Sequence, residues 1–243
     1  MRVWVDTDVG TDPDDAFALL CAAGHPDVDL VGVSTVDGDT ESRAGIARRL
    51  VAAPVVAGHA LRSDDVRAAD PDAVLAIGPL TNAAALLDDG LRPRRVAVMG
   101  GVLVPIRHRG RRYEIEHNFG ADPPAVPPVL ELAPDLLVCP LDVTVRLRIP
   151  DDRLADFFAA APVLEELCAS WTDPIRLHDP LALLALLGEP VLSTRRARLV
   201  VDRDGRLSEH PGGRECDLVD DVDVAAALAR VHELIARART PRR

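Results

Sequence analysis

Val3-Trp4-Val5-Asp6-Thr7-Asp8-Val9-Gly10-Thr11-Asp12-Pro13-Asp14-Asp15-Ala16 is the stretch on which the reading of this chain turns. Val3 to Val5 has the composition of a short buried strand, and it stops at acids. Helix signals follow at once. Asp12 is placed to cap, Pro13 suits a first helical position, and Asp14 and Asp15 fall in the first turn, where the helix dipole favours anions. Pro13 to Ala23 is therefore expected to be helical.

The same alternation repeats outward. Val28 to Thr35 is β-branched and apolar, a second strand, and Glu41 to Val51 is an amphipathic helix with Ile46 and Leu50 four apart. Pro54 to Ala57, Ala73 to Ile77, Arg95 to Met99 and Leu136 to Leu141 read as further short strands, with a helix over Leu80 to Leu87. Asp151 to Trp171 reads as helical with a break at Pro162, and His178 to Leu187 as another helix. Arg198 to Asp202 and Arg206 to His210 flank Asp204-Gly205, a hairpin signal. Val224, Leu228, Val231 and Ile235 mark the inner face of a closing helix, and Arg237 to Arg243 is expected to fray. Short strands alternating with helices predict an α/β three-layer sandwich, a mainly parallel central sheet with helices on both faces. No linker, repeat or shift of composition divides the 243 residues, which predicts a single domain over 1–243.

Apolar residues make up 48% of the chain and charged residues 28%, a balance that excludes disorder, collagen and coiled coil. The net charge is −11 and every basic residue is Arg, so no mechanism that needs a lysine amine is open. An acidic chain without a basic tract argues against nucleic acid and anionic membranes as partners and for a cation. The longest apolar runs, such as Leu181 to Leu187, cannot span a bilayer, and Asp6 and Asp8 stand where a signal peptide would need an apolar core. Cys21, Cys139, Cys168 and Cys216 are scattered without metal or redox spacing, and read as buried thiols in a reducing cytoplasm.

In open α/β sheets ligands sit beyond the carboxyl ends of the strands. The first strand ends in five carboxylates within ten residues, Asp6, Asp8, Asp12, Asp14 and Asp15. Crowding them there costs several kcal/mol of repulsion without a counter-charge, and a helix N-terminus offsets only part of it. A divalent cation is the natural remainder, and an all-oxygen set selects Ca²⁺ or Mg²⁺ over zinc. An EF-hand loop fails because Phe17 stands where the bidentate Glu is required. Other strand ends supply Thr35-Val36-Asp37-Gly38-Asp39, Ile77-Gly78-Pro79-Leu80-Thr81-Asn82 and Met99-Gly100-Gly101, the last followed by a polar loop with Glu116-His117-Asn118. His178-Asp179 opens a late helix. A histidine there suits a cap as well as a catalytic group.

Six of these segments, in order, resemble the nucleoside hydrolase family of the inosine/uridine-preferring type. They are Asp6 through Ala16, Ala76 through Asn82, Val98 through Gly101, Glu116-His117-Asn118 with Asp122-Pro123, Leu141 through Thr144, and His178 through Ala182. The resemblance implies Ca²⁺-dependent hydrolysis of the N-glycosidic bond of a ribonucleoside by a homo-oligomeric enzyme acting on a small-molecule nucleoside. It implies Asp8, Asp15, the Ile77 carbonyl and Asp179 as metal ligands, with Asp8 also taking the proton of the attacking water. It further implies Asp14, Glu116 and Asn118 on sugar hydroxyls, Met99 against the sugar ring and His178 as the acid for the departing base. Asp39 stands where the family commonly has Asn, and can accept from a ribose hydroxyl but not donate. The chain is shortened between Leu61 and Pro71 and between Pro150 and Leu177, leaving Trp171 as the one obvious aromatic to stack on a base. Two other readings stay open. One is a ribose- or nucleoside-binding relative without useful turnover. The other is a haloacid dehalogenase-type phosphatase with Asp6 as nucleophile and Mg²⁺ as metal, which lacks the usual Lys.

Overall fold

The computed structural model describes residues 1–108 and 110–239, without the side chains of 108 and 111. In chain order, β1 (Arg2–Thr7), α1 (Asp14–Gly24), β2 (Asp29–Thr35), α2 (Thr40–Leu50), β3 (Val55–Ala57), α3 (Ser63–Ala69), β4 (Ala73–Ala76), α4 (Thr81–Asp88) and β5 (Arg95–Met99) form the first half. A small hairpin, β6 (Ile106–His108) and β7 (Arg111–Tyr113), follows, then α5 (His117–Ala121), α6 (Val126–Leu132), β8 (Leu136–Cys139) and α7 (Leu141–Thr144). The chain closes with α8 (Leu154–Ala160), α9 (Pro162–Cys168), α10 (His178–Leu186), β9 (Leu192–Val201), β10 (Leu207–Glu209), β11 (Arg214–Val222) and α11 (Val224–Arg237).

Nine strands make one sheet in the order β10-β9-β11-β8-β5-β4-β1-β2-β3. From β3 to β11 every neighbouring pair is parallel, and β9 and β10 close one edge antiparallel. The chain starts at β1, winds out through β2 and β3, and returns to β4 on the other side of β1. The crevice between the ends of β1 and β4 is thus a topological switch point, where such sheets bind ligands.

Side chains alternate across the sheet with period two. Val3 and Val5 of β1, Ala97 and Met99 of β5, and Leu137 and Cys139 of β8 join the core beneath α1, α10 and α11. Val96, Val98, Leu136 and Val138 face the opposite layer with α4 and α6. The result is the three-layer, mostly parallel arrangement that the sequence predicts. α1 and α10 are apolar nearly all round because both are enclosed, α1 between α10 and α11. All four thiols are buried and free. Among the described residues no helix is long and apolar enough to cross a membrane.

The structure departs from the sequence reading in several places. Asp12 does not cap α1: Pro13, with helical dihedrals, precedes it, and no side chain caps the end. The inner face of α11 holds the expected Val231 and Ile235, with Val224 and Leu228 half-buried against the same core, and adds Ala227 and Leu234, which the sequence reading did not name. The predicted strand over Leu136 to Leu141 stops at Cys139, because Pro140 ends it and α7 begins. The hairpin at Asp204-Gly205 forms, but its first strand is the end of the ten-residue β9. Of the tail expected to fray, α11 runs to Arg237 and residues 240–243 lie outside the described ones. β11 has no counterpart in the sequence reading. Its outward Glu215 and Asp217 disguise a strand, and they are matched across the pair by Arg196 and Arg198 of β9.

Two glycines on helices test this packing with opposite signs. A Cβ on Gly24 would stand 1.9 Å from the Leu234 carbonyl oxygen of α11, whereas one on Gly45 of α2 meets nothing within 4 Å. Gly24→Ala should lower the urea midpoint by about 1–3 kcal/mol of stability, through overpacking. Gly45→Ala should raise it by up to about 1 kcal/mol, through helix propensity. A neutral Gly24→Ala would contradict the close approach of α1 and α11.

Candidate active site and metal centre

Two helix N-termini meet beyond the ends of β1 and β4. α1 carries Asp14 and Asp15 in its first turn, α10 carries Asp179 in its own, and the two helices pack together. Carboxylate oxygens from all three residues lie within 4.8 Å of one another, and all three side chains are buried. The helix ends favour anions there. They do not cancel the repulsion between the acids.

The crowding has electrostatic consequences. Burial pushes Asp179 well above the usual carboxylate range, and Asp14, Asp15, Asp8 and Glu116 push it further, with no cation among the principal influences. Burial, Asp8 and Asp14 raise Asp15 well above its ordinary value, against the Thr7 hydroxyl and the Arg43 charge. Asp14 rises to about 7, chiefly through burial and then Asp12. Asp8 rises to about 6 through burial, held back by Arg43 and His117. An all-oxygen donor set with excess negative charge fits a hard divalent cation.

The loops that carry these acids are tied down from below. The Thr7 hydroxyl donates to Asp15 Oδ1, and Arg43 donates to the main-chain oxygens of Asp8, Val9 and Asp37, fastening the β1–α1 loop to the β2–α2 loop. A Cβ on Gly78 would stand 2.6 Å from Val36 Cγ1 and 3.0 Å from the Asp8 nitrogen, so glycine is what lets the end of β4 approach Asp8. Asp6 lies underneath, fully buried, accepting from the Ser34 hydroxyl at 2.6 Å and from Asn82 Nδ2 at 2.8 Å. That position ties β1 to β2 and α4, and removes Asp6 as a phosphatase nucleophile, since nothing outside can reach it.

The other residues gather from β5 and the loop after it. Glu116 caps α5, accepting from the amides of Gly101 (3.0 Å), Asn118 (2.8 Å) and Phe119 (3.1 Å). Asn118 Nδ2 donates to the carbonyls of Ile77 (3.2 Å) and Met99 (3.1 Å), bridging the ends of β4 and β5. A cavity of about 270 Å³ lies here, walled by the acid cluster, Ile77, Met99, Glu116 and Asn118. A second cavity of about 230 Å³ adjoins it, sharing Asp12, Asp14, Tyr113, Leu141 and His178 and adding Trp171 and Arg176.

Asp8, Asp14, Asp15, Ile77, Met99, Glu116, Asn118, His178 and Asp179, all singled out by sequence, line the first cavity. Asp39 does not. Its exposed carboxylate caps α2, accepting from the Ser42 amide at 3.1 Å and the Ser42 hydroxyl at 2.6 Å. The tightest acid cluster includes Asp14, expected on the sugar, and not Asp8, which lines the same cavity. His178 Nδ1 bonds the Thr144 hydroxyl at 2.7 Å, and its pKa falls to about 3, first through burial and then through the Arg176 charge. It is therefore neutral at neutral pH, and the expected proton donor becomes a neutral hydrogen-bonding imidazole. Trp171 is not the only aromatic at these cavities among the described residues, because Tyr113 of β7 lines both. Tyr113 is the chain's single tyrosine and lies three residues before Glu116, a signal that could have found it. Arg43 and Thr7 carry no comparable sequence signal.

A profile described as inosine-uridine preferring nucleoside hydrolase matches residues 51–229. The chain is 31% identical over 211 residues to a non-specific ribonucleoside hydrolase RihC of Klebsiella pneumoniae, covering 74% of this chain and 66% of that protein. With RihC of Shigella boydii it is 29% identical over 311 residues, covering 98% and 99%. An alignment of 311 positions against 243 residues leaves segments of that relative without a counterpart here. Among solved structures, the inosine-uridine preferring nucleoside hydrolase from Bacillus anthracis superposes with a TM-score of 0.80 at 19% identity, covering 97% of this chain and 99% of that one. The purine-preferring ribonucleoside hydrolase from Gardnerella vaginalis gives 0.72 at 19% identity, covering 97% and 98%. The profile spans well over half of the chain, and with the strand-end acids, Gly78 and His178-Asp179 in family order it leads to one conclusion: this chain belongs to the inosine-uridine preferring nucleoside hydrolase family.

Proposed function

We propose that the chain hydrolyses the N-glycosidic bond of ribonucleosides with Ca²⁺ as its resident cation, releasing ribose and the free base. The observation that carries this reading is the meeting of Asp14, Asp15 and Asp179 from two helix N-termini, inside a cavity that also holds Asp8 and the Ile77 carbonyl. Asp8, Asp15, Asp179 and the Ile77 carbonyl would hold the ion, and the oxygen-only donor set supports calcium. When bound, such a cation supplies Lewis acidity, lowering the pKa of water beside it and steadying sugar hydroxyls.

The chain's own residues supply the rest. Asp8, beside the ion and held toward its ionised form by Arg43 and His117, would take a proton from the attacking water. Asp14, Glu116 and Asn118 hold sugar hydroxyls. Glu116 is pre-set by its three amide donors, and Asn118 by its clamp on β4 and β5. Met99, buried at the end of β5, lies against the sugar ring. This grip favours the flattened, positive sugar that forms as the bond breaks. His178, its Nδ1 engaged by Thr144, offers Nε2 to the departing base as a neutral donor. The buried, unpaired thiols support a reducing compartment, the cytoplasm.

Asp8→Asn should lower kcat on inosine or uridine by about 10²–10⁴-fold, the usual worth of a general base, and weaken calcium binding by titration calorimetry. Near-normal kcat would contradict the assignment.

The acid cluster also fixes a pH dependence. In the metal-free fold Asp8 and Asp14 have pKa values of about 6 and 7, above the unfolded value of about 3.9. Raised carboxylates contribute stability that is fully present below the unfolded value and lost as pH rises through the folded one. The chelated protein should therefore lose thermal stability from this cluster between about pH 4 and 7. Calcium should raise the melting temperature more at pH 8 than at pH 5, as scanning calorimetry with calcium or chelator would read. Equal gains at both values would mean that the cluster does not take the ion.

A further inference from the structure

The segment Ile175-Arg176-Leu177 enters α10 in an extended form. It is pinned to the stretch after α7 by bonds from Ile149 N to the Ile175 oxygen and from Leu177 N to the Leu147 oxygen, both 2.9 Å, with Arg148 directly opposite Arg176. Side chains of such a segment alternate. Ile175 and Leu177 are buried in the main core, so Arg176 turns the other way and lines the base-side cavity beside Trp171, Tyr113 and His178.

Its charge is unmatched. Two arginines facing each other across a bridge repel. Arg148 has Asp151 at 3.1 Å, but no described residue forms an ion pair with Arg176, whose Nε is buried without a hydrogen-bond partner. Burial and Arg148 both pull its pKa down, and no acid opposes them. A guanidinium keeps its charge in any case. Arg176 thus presents a half-buried fork of N–H donors to the cavity, and no described residue forms an ion pair with it.

We propose that Arg176 is a leaving-group residue, hydrogen-bonding an oxygen acceptor on the edge of the departing base and so selecting oxo bases over amino bases. The proposal rests on the hydrolase reading of the adjoining cavity and adds the residue that chooses the base. As the bond from C1′ to the base nitrogen breaks, its electron pair passes into the ring and onto the oxo oxygen. The hydroxyl of water joins C1′, the water proton goes to Asp8, and the base leaves as an anion that then takes a proton from solvent. Arg176 stabilises the oxygen that gains charge. An amino purine presents a donor at that edge, and two donors facing each other lose the contact.

The test compares kcat/KM for inosine, adenosine and p-nitrophenyl riboside in the wild type, Arg176→Gln and Arg176→Lys. The wild type should favour inosine over adenosine. Arg176→Gln should lose about 10–100-fold on inosine, the range of a charge-assisted hydrogen bond, while p-nitrophenyl riboside, whose leaving group needs no help, stays within about threefold. Arg176→Lys should recover part of the loss. Equal losses on all three substrates, or an unchanged ratio of inosine to adenosine, would overturn the proposal. Should Arg176→Gln fail to fold, inhibition of the wild type by free bases decides. Hypoxanthine binding more tightly than adenine supports Arg176, and the reverse order overturns it. A wild type inactive on every riboside would sink the hydrolase reading instead, and direct binding of the two bases would still judge Arg176.

Discussion

Carboxylates facing one another in a buried crevice must be neutralised by protons or by a cation, and this constraint organises the molecule. Asp14, Asp15 and Asp179 sit where two helix ends offer partial positive charge, yet burial and mutual repulsion still raise their pKa values. Arg43 restrains Asp8 and Asp15 but leaves Asp179 unrelieved. A fold seeking stability alone would replace such a cluster with apolar side chains. Its presence at the switch point of the sheet marks a binding site for something positive.

The rest of the fold holds that arrangement rigid. Parallel strands deliver Asp6 and Thr7 from β1, Asp8 from just past it, Ile77 from just past β4 and Met99 from β5 to one edge. α1 and α10, enclosed by the core, fix the acids of both N-termini relative to each other. Beneath them Asp6 joins Ser34 and Asn82, and above them Asn118 joins Ile77 to Met99. The site is therefore built by strands and helix starts, with the small hairpin β6–β7 and the Trp171–Leu177 stretch walling the adjoining cavity. The ion-binding half depends on deep, crowded positions. The adjoining cavity is walled by short surface segments around Tyr113, Trp171 and Arg176.

Much of this was legible in the sequence, and the limits have physical causes. Buried parallel strands are continuous apolar runs, so β1, β2, β4, β5 and β8 could be read directly. β11 could not, since its outward face is charged and paired with arginines that lie elsewhere in the chain. The strand-end acids announced themselves by crowding, which no solvated loop explains well. The capping role of Asp39 went unread, because a carboxylate after a strand suits a helix start as well as a ligand, and here it accepts from the Ser42 amide. The lowered pKa of His178 comes from burial and then from the Arg176 charge, surroundings that spacing along the chain does not reveal. Arg176 itself reads as one more surface arginine until Ile175 and Leu177 are seen to point inward.

The proposed chemistry depends on a hard dication between the first turns of α1 and α10. A crystal structure of the protein grown with calcium, with anomalous difference maps, tests it most directly. The account predicts one strong peak about 2.3–2.6 Å from oxygens of Asp15 and Asp179, lost in Asp179→Ala. A flat map at that position in calcium-saturated crystals, or a peak held by other residues, would contradict it.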